Sequence, residues 1–242
     1  MNRILSGLAA SVAVAALTGG TAMAQPGMPT TWSGFYVGAN GGVIDAMTTH
    51  TNLADHDFEP FVPGKQPGLD SVGAIGGGQI GYNFQFSPRV VLGLEGDLDG
   101  IAGARASGNT GAFGSEFGIQ SSRWSALGTA RGRIGYAFDS VPMMIYATGG
   151  AAFGDVKNYA ANVFTTGGGF GQQWSKSGWR VGWTAGGGAE WMCGQNWSVK
   201  AEVLYVDLGS YTTTGTPPPD PRCRQGFSNT AVLGRAGVNL HF

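Results

Sequence analysis

The 242-residue chain carries little charge. Asp, Glu, Lys and Arg make up 12% of its residues, against about a quarter in a typical soluble domain, and the formal net charge is −1. So small a net charge offers no electrostatic basis for binding nucleic acid, and we expect no nucleic-acid partner. The composition is therefore not that of an ordinary soluble protein.

A long hydrophobic run is also lacking beyond the N-terminal region, where no stretch reaches the roughly 18 consecutive apolar residues of a membrane helix. At the start of the chain, Arg3, an apolar run over 4–17 and the small-residue site Ala22-Met23-Ala24 have the pattern of a secretory signal peptide. The run is too short for a retained anchor, and no cysteine follows it to indicate a lipoprotein. We expect cleavage after Ala24, giving a signal peptide at 1–24 and a mature domain at 25–242.

Glycine and regular alternation are abundant instead. The chain contains 44 glycines, and 11% of its residues are aromatic. In the last segment, residues 230–242, one set of alternate residues is apolar throughout and ends at Phe242, whereas the other set is mostly polar or small. A period of two residues predicts a β-strand. One face on lipid and the other on a polar lumen accounts for such a strand at the end of a chain.

Seven further segments share this alternation. With the last one, the eight predicted strands are 32–43, 72–86, 90–102, 123–138, 142–156, 177–192, 197–208 and 230–242. Their connections alternate between long and short, and the long ones are 44–70, 103–120, 157–175 and 209–229. We therefore predict an all-β fold, an eight-stranded antiparallel transmembrane up-and-down β-barrel with four long outer loops and short periplasmic turns. A soluble β-sandwich would alternate similarly but would carry more charge on its outer face.

Aromatic residues lie near the ends of the predicted apolar faces. This placement matches the interfacial girdles of membrane barrels. The residues concerned are Phe84, Phe86, Trp124, Tyr136, Phe138, Trp191, Trp197 and Phe242.

Charged residues fall mainly on the predicted inward faces. The interior of an eight-stranded barrel is only wide enough for side chains to fill, so charges there need partners. We predict a structural salt-bridge plug rather than an ion pathway, although intramembrane charge also occurs in ion pathways. The predicted cluster consists of Glu95, Asp97, Asp99, Arg123, Arg131, Arg133, Arg180, Glu190, Lys200, Glu202 and Arg235.

Other motifs carry weaker signals. The spacing Gly76-x-Gly78-x-x-Gly81 matches a dinucleotide fingerprint, but strand alternation follows it instead of a helix, so we assign it to the barrel wall. The first long loop contains His50, Asp55, His56, Asp57 and Glu59 at spacings that fit no standard zinc site. We interpret it as a solvated acidic loop and leave heme or metal binding by His50 and His56 open. No catalytic set and no cofactor site is predicted.

The two cysteines, Cys193 and Cys223, would form a disulfide in an oxidising compartment if they could meet. The predicted topology places Cys193 in a periplasmic turn and Cys223 in the last outer loop. The apolar band between them is about 25 Å tall, whereas a disulfide tolerates a Cα separation of about 7 Å at most. We therefore predict no intramolecular disulfide.

Several of these segments also resemble a known family. The motifs are Trp32-Ser33-Gly34-Phe35-Tyr36-Val37-Gly38, then 93–97, 131–136, 146–150, 182–186, 200–209 and 235–239. In this order they resemble the small eight-stranded outer-membrane barrels of Gram-negative bacteria, described as outer-membrane immunogenic, surface-antigen or porin-family proteins. The resemblance implies the outer membrane as location and brings no catalytic residues. It also implies that a C-terminal strand with Val238, Leu240 and Phe242 is a signal for the outer-membrane assembly machinery.

These observations predict an integral outer-membrane protein with a role in envelope integrity and surface interaction. The expected partners are outer-membrane lipid, the assembly machinery during biogenesis, and host or surface ligands that contact the loops. Two alternatives stay open at this point. One is a small passive channel, and the other is a receptor for heme or another ligand, since members of the family resemble both.

Overall fold

The computed structural model describes residues 31–53, 64–65, 68–113, 116–164, 170–215 and 220–242. These residues form ten β-strands: β1 (Gly34–Asn52), β2 (Gly64–Lys65), β3 (Leu69–Gln85), β4 (Val90–Ala102), β5 (Arg105–Phe113), β6 (Glu116–Ala137), β7 (Met143–Phe164), β8 (Phe170–Met192), β9 (Trp197–Gly215) and β10 (Asp220–His241). Within the described ranges, no helix is long and apolar enough to cross a membrane.

The strands close into an antiparallel barrel. Each barrel strand pairs with its neighbours along the chain, and β10 pairs with β1 from Tyr36–His241 to Asn52–Gln225. The short strand β2 continues the line of β3 along β1, and β5 continues the line of β4 along β6. The ten strands therefore make eight barrel positions, which confirms the predicted eight-stranded antiparallel barrel.

An apolar band surrounds the barrel because outward residues alternate with inward ones. On β1, Phe35 and Val43 face outward and are exposed, whereas Tyr36 and Ile44 face inward and are buried. The first outward acid follows about ten residues beyond the turn end of three strands, as Asp45, Asp155 and Asp207. At a rise of about 3.3 Å per residue and a tilt of about 40°, ten residues span roughly 25 Å, the height of a membrane barrel's apolar band.

Aromatic residues border this band at the turn end, as predicted. Phe84, Phe86, Tyr136, Trp191, Trp197 and Phe242 are all exposed there. At the opposite border the outward aromatic residues include Trp179 and Trp183, the second of which contacts the ring of Tyr205.

The predicted boundaries of the outer loops are wrong. Most of the described residues in 44–70, 103–120, 157–175 and 209–229 continue the strands. These segments are rich in Gly, Thr, Ser and Asn and lack an apolar face, because they stand in water and face no lipid. A 22-residue strand such as β6 spans roughly 55 Å along the axis, so the barrel projects about 30 Å beyond the membrane. We call this projecting part the outer extension.

The outer extension consists of two facing sheets. The ladder between β3 and β4 ends at Ala74–Ala102, and the ladder between β8 and β9 ends at Trp183–Asp207. The other ladders continue along the barrel axis, away from the turn end. Above the band, one sheet therefore contains β5, β6, β7 and β8, and the other contains β9, β10, β1 and the β2–β3 line.

Cys193 is a free, exposed thiol in the turn between β8 and β9. The backbone of Cys223 lies in the outer part of β10, at the other end of the barrel. Both positions agree with the prediction that these two cysteines do not pair.

Candidate functional site: the filled interior of the barrel

The interior holds three layers of side chains, which we name in order from the turn end to the outer extension. The charged layer is built from alternate residues of β4, β6, β8, β9 and β10. The apolar layer follows near the middle of the strands. The polar layer lies within the outer extension. Within each strand, the residues that belong to these layers occur at every second position, because inward side chains alternate with outward ones.

Arg131 lies at the centre of the charged layer. Its guanidinium group donates hydrogen bonds to Glu95, to Asp97 Oδ2 at 2.9 Å and to Glu202 Oε2 at 3.2 Å. The four side chains are almost fully buried. Residues of β4, β6 and β9 thereby meet at one point, so Arg131 joins strands that are not neighbours in the sheet.

Arg235 of β10 makes a second set of contacts with the same acids. Its Nε donates to Glu202 Oε1 at 2.6 Å and its Nη2 to Asp97 Oδ2 at 2.9 Å, and it also pairs with Asp99. The closing strand is thus tied through charge to β4 and β9. Charge-assisted hydrogen bonds of this kind are roughly twice as strong as neutral ones.

Arg133 and Lys200 complete the cations of the layer. Arg133 donates to Glu190 Oε2 at 3.1 Å and to Asn83 Oδ1 at 2.8 Å. Its guanidinium carbon lies 4.8 Å from the ring centroid of Tyr36, a cation–π distance. Lys200 Nζ donates to Glu95 Oε1 at 2.8 Å.

Two tyrosines and one histidine extend this network. Tyr36 donates to Glu95 Oε2 at 2.7 Å, and Tyr146 donates to Glu202 Oε2 at 3.0 Å. His241 Nε2 lies 3.5 Å from Glu190 Oε1 at the turn end. The layer holds five carboxylates and four Arg or Lys cations.

Nine of the eleven predicted residues lie together in this layer. They are Glu95, Asp97, Asp99, Arg131, Arg133, Glu190, Lys200, Glu202 and Arg235. The placement of the remaining two differs from the prediction.

Arg123 is not in the interior. The ladder between β6 and β7 shifts register between Trp124 and Ala126, which leaves Ser125 as an extra residue. Such a β-bulge reverses the faces of the residues beyond it. Arg123 therefore points outward and is exposed, and Trp124, predicted in the outer girdle, points inward and is 1% exposed.

Arg180 faces inward but lies outside the charged layer. It stands on β8 beyond the apolar band, with its guanidinium carbon 3.7 Å from the ring centroid of Tyr211. No carboxylate among the described residues pairs with it. The prediction that Arg180 joins the charged cluster was wrong. Alternation along a strand indicates which face a side chain lies on, but not how far along the barrel axis it lies.

The apolar layer closes the middle of the interior. Its members are buried and contact one another across the barrel, including Ile44, Trp124, Leu127, Leu204, Val206 and Leu233. This layer could not be predicted from the sequence, because both faces of the strands are apolar at this height and alternation of polarity disappears.

The polar layer lies between the two sheets of the outer extension. Thr48 and Ser122 share a hydrogen bond of 2.8 Å across the interior, and Asn158 donates to Asn229 Oδ1 at 2.9 Å. His50 is buried with its ring 4.7 Å from that of Phe227, and neither of its ring nitrogens has a hydrogen-bond partner among the described residues.

The other members of the predicted loop set, Asp55, His56, Asp57 and Glu59, lie outside the described residues. No group of three or more His, Cys, Asp or Glu suited to a metal ion occurs in the part of the chain that the structure describes.

The sequence matches the family model for the outer membrane protein beta-barrel domain over residues 12–232. The chain belongs to this family. The 31 kDa outer-membrane immunogenic protein of Brucella melitensis is 35% identical over 214 residues, which cover 85% of this chain and 86% of that protein. The 22 kDa outer membrane protein of Rhizobium leguminosarum is 30% identical over 181 residues, covering 74% of this chain and 65% of that protein.

Among solved structures, the outer membrane protein OprG of Pseudomonas aeruginosa aligns with a TM-score of 0.46 at 11% identity, covering 89% of this chain and all of that one. The sequence relatives place this outer membrane protein beta-barrel domain in the outer membrane, as predicted.

The C-terminal residues of this outer-membrane barrel lie on its lipid-facing side. Phe242 is 72% exposed at the turn end, and its backbone N–H donates to the Phe35 carbonyl oxygen at 2.9 Å. Val238 lies on the same outward face, and Leu240 is paired with Val37 on β1. The three residues of the predicted assembly signal therefore border the ladder that closes the barrel.

Proposed function

We propose that this outer-membrane barrel is a closed, non-conducting anchor that stabilises the envelope and displays its outer extension for surface contacts. The observation that carries the proposal is the filling of the interior at three successive levels. The strands that project about 30 Å beyond the membrane supply the contact surface. The Brucella relative, named as an immunogenic protein, supports exposure at the cell surface.

The charged layer acts as a structural plug in this proposal. Its charges are buried and mutually bonded, and an ion that passed would have to break several of these pairs. The apolar layer adds a second barrier, because its buried Leu, Ile and Trp side chains offer a hydrated ion no polar partner. Both features argue against the passive channel.

The purified protein is expected to produce no unitary ion currents in a planar lipid bilayer. Folded protein is reconstituted at the same density as a general porin, which sets the detection limit. Reproducible current steps from the folded protein, absent after heat unfolding, would contradict the closed barrel and favour the channel.

The receptor alternative gains no support from His50. Its ring is buried against Phe227 between the two sheets, so a ligand such as heme would have to separate them to reach it. We propose no enzymatic activity, since the names of the sequence relatives refer to outer-membrane proteins and to no reaction.

Export and assembly complete the proposed role. Residues 1–24 direct export, and the assembly machinery reads the C-terminal strand. Deleting Phe242 is expected to lower the amount of folded barrel in the outer membrane several-fold, because the outward aromatic side chain at the end of β10 is lost. Replacing Phe242 with tyrosine keeps that ring and is the matched control. Surface labelling of intact cells measures both, and normal levels of the truncated chain would disprove the assembly role.

A further inference from the structure

The two sheets of the outer extension separate between β8 and β9. Their ladder ends at Trp183–Asp207, although both strands continue outward. Gly209 explains why the ladder between β8 and β9 ends there. Its φ of +71° turns the chain, and its N–H donates to Asp207 Oδ1 at 2.7 Å. We call the space bordered by residues 175–182 of β8 and 208–214 of β9 the lateral slot.

Beyond this turn, a side chain of β9 contacts both β7 and β8. The hydroxyl group of Tyr211 on β9 accepts a hydrogen bond of 3.1 Å from Asn158 on β7. Across the slot, Arg180 lies against the face of the Tyr211 ring. Side chains therefore bridge the two strands where described ladder pairs are lacking.

Exposure shows that the slot opens the interior to water. Lys176 is paired with Asn158 in the ladder, so the two side chains share the inward face. Asn158 is 1% exposed, yet Lys176 is exposed. Arg180 is half-buried, whereas Gly154, its ladder partner on β7, is buried. At these two ladder pairs the inward residue is buried on β7 and exposed or half-buried on β8.

We propose that the lateral slot binds an extended acidic peptide by strand addition to the edge of β8 over residues 175–182, which pair with no described residue of β9. An unpaired strand edge offers a row of N–H and C=O groups that a partner strand can bond. The slot begins at the height of Asp207, where the apolar band ends, so a partner reaches it from water. This inference rests on the proposed surface-contact function and names the class of partner.

The charge of the lateral slot favours an acidic peptide as the partner. The described side chains of residues 175–182 and 208–214 include two cations, Lys176 and Arg180, and no anion. Antiparallel pairing of β8 with the same strand of a second copy would bring these cations close to their counterparts, which is unfavourable. An acidic peptide would instead pair with them.

The test uses the full protein in detergent and a fluorescein-labelled eight-residue peptide of alternating Thr and Glu. Fluorescence anisotropy is expected to show saturable binding. Lys176→Glu should weaken binding by about fivefold or more, since it replaces attraction with repulsion. Lys157→Glu is the matched control, because Lys157 is exposed on the outer face of β7 opposite Ser177. It should change binding by less than about twofold.

Two further measurements test strand addition itself. A peptide methylated at alternate backbone nitrogens should lose binding, and the unmodified peptide should slow amide exchange within 175–182 but not within 184–192. The proposal is overturned if the methylated peptide binds as tightly as the unmodified peptide, or if the unmodified peptide does not bind. A dimer of the free protein that the peptide dissociates would assign the slot to a second copy and also overturn it. Bilayer currents test the closed-barrel function separately, so either proposal can fail alone.

Discussion

Replacing Arg131 with methionine is expected to lower the free energy of unfolding by about 3–5 kcal/mol, the cost of breaking a buried ion pair by removing one partner. The guanidinium group bonds Glu95, Asp97 and Glu202, and all three carboxylates would stay buried with one partner fewer. Methionine fills a similar volume, so the change removes charge with little loss of packing. Urea unfolding in lipid vesicles, followed by Trp fluorescence, measures the effect.

Arg123 on the same strand supplies the control. It points outward and is exposed, and substitutions at such positions usually change stability by no more than about 0.5 kcal/mol. Arg123→Met should therefore leave the unfolding midpoint nearly unchanged. If both variants lost the same stability, or neither did, the charged layer would not be the stabilising plug that we propose.

The contrast between these two arginines shows what strand alternation can predict. From Arg131 to the turn end, alternation assigned every residue of β6 to the correct face. Beyond Ser125 it assigned the opposite face, because a single extra residue reverses the period of two. Alternation itself does not reveal a bulge, and the pairing of β6 with β7 is needed to locate it.

The apolar layer and the outer extension were missed for a different reason. Leu204 and Val206 lie inward on β9 and alternate with the outward Val203 and Tyr205, so both faces are apolar and no period is visible. In the outer extension both faces are largely polar, and the period again disappears. Alternation predicts a strand only where its two faces meet different surroundings, whereas backbone pairing continues through both regions.

Closure of the barrel depends on the contact between β1 and β10. At Gly42 the facing strand leaves no room for a side chain. A Cβ atom at Gly42 would meet the Gly234 carbonyl oxygen and lie 2.6 Å from the Cα atom of Arg235. These are backbone atoms, so only a shift of β1 and β10 relative to each other could relieve the overlap. That shift would also move Arg235 away from Asp97 and Asp99.

Gly42→Val is therefore expected to destabilise the barrel by more than about 4 kcal/mol, a loss that few single substitutions cause. Gly234 on the facing strand is the control, because a Cβ atom there would meet nothing within 4 Å. Gly234→Ala should fold normally. Folded barrels resist SDS without heating, so the folded fraction can be measured by gel mobility before and after heating. A normally folded Gly42→Val variant would mean that β10 can move without opening the barrel, and the ladder from Tyr36–His241 outward would not be the contact that closes it.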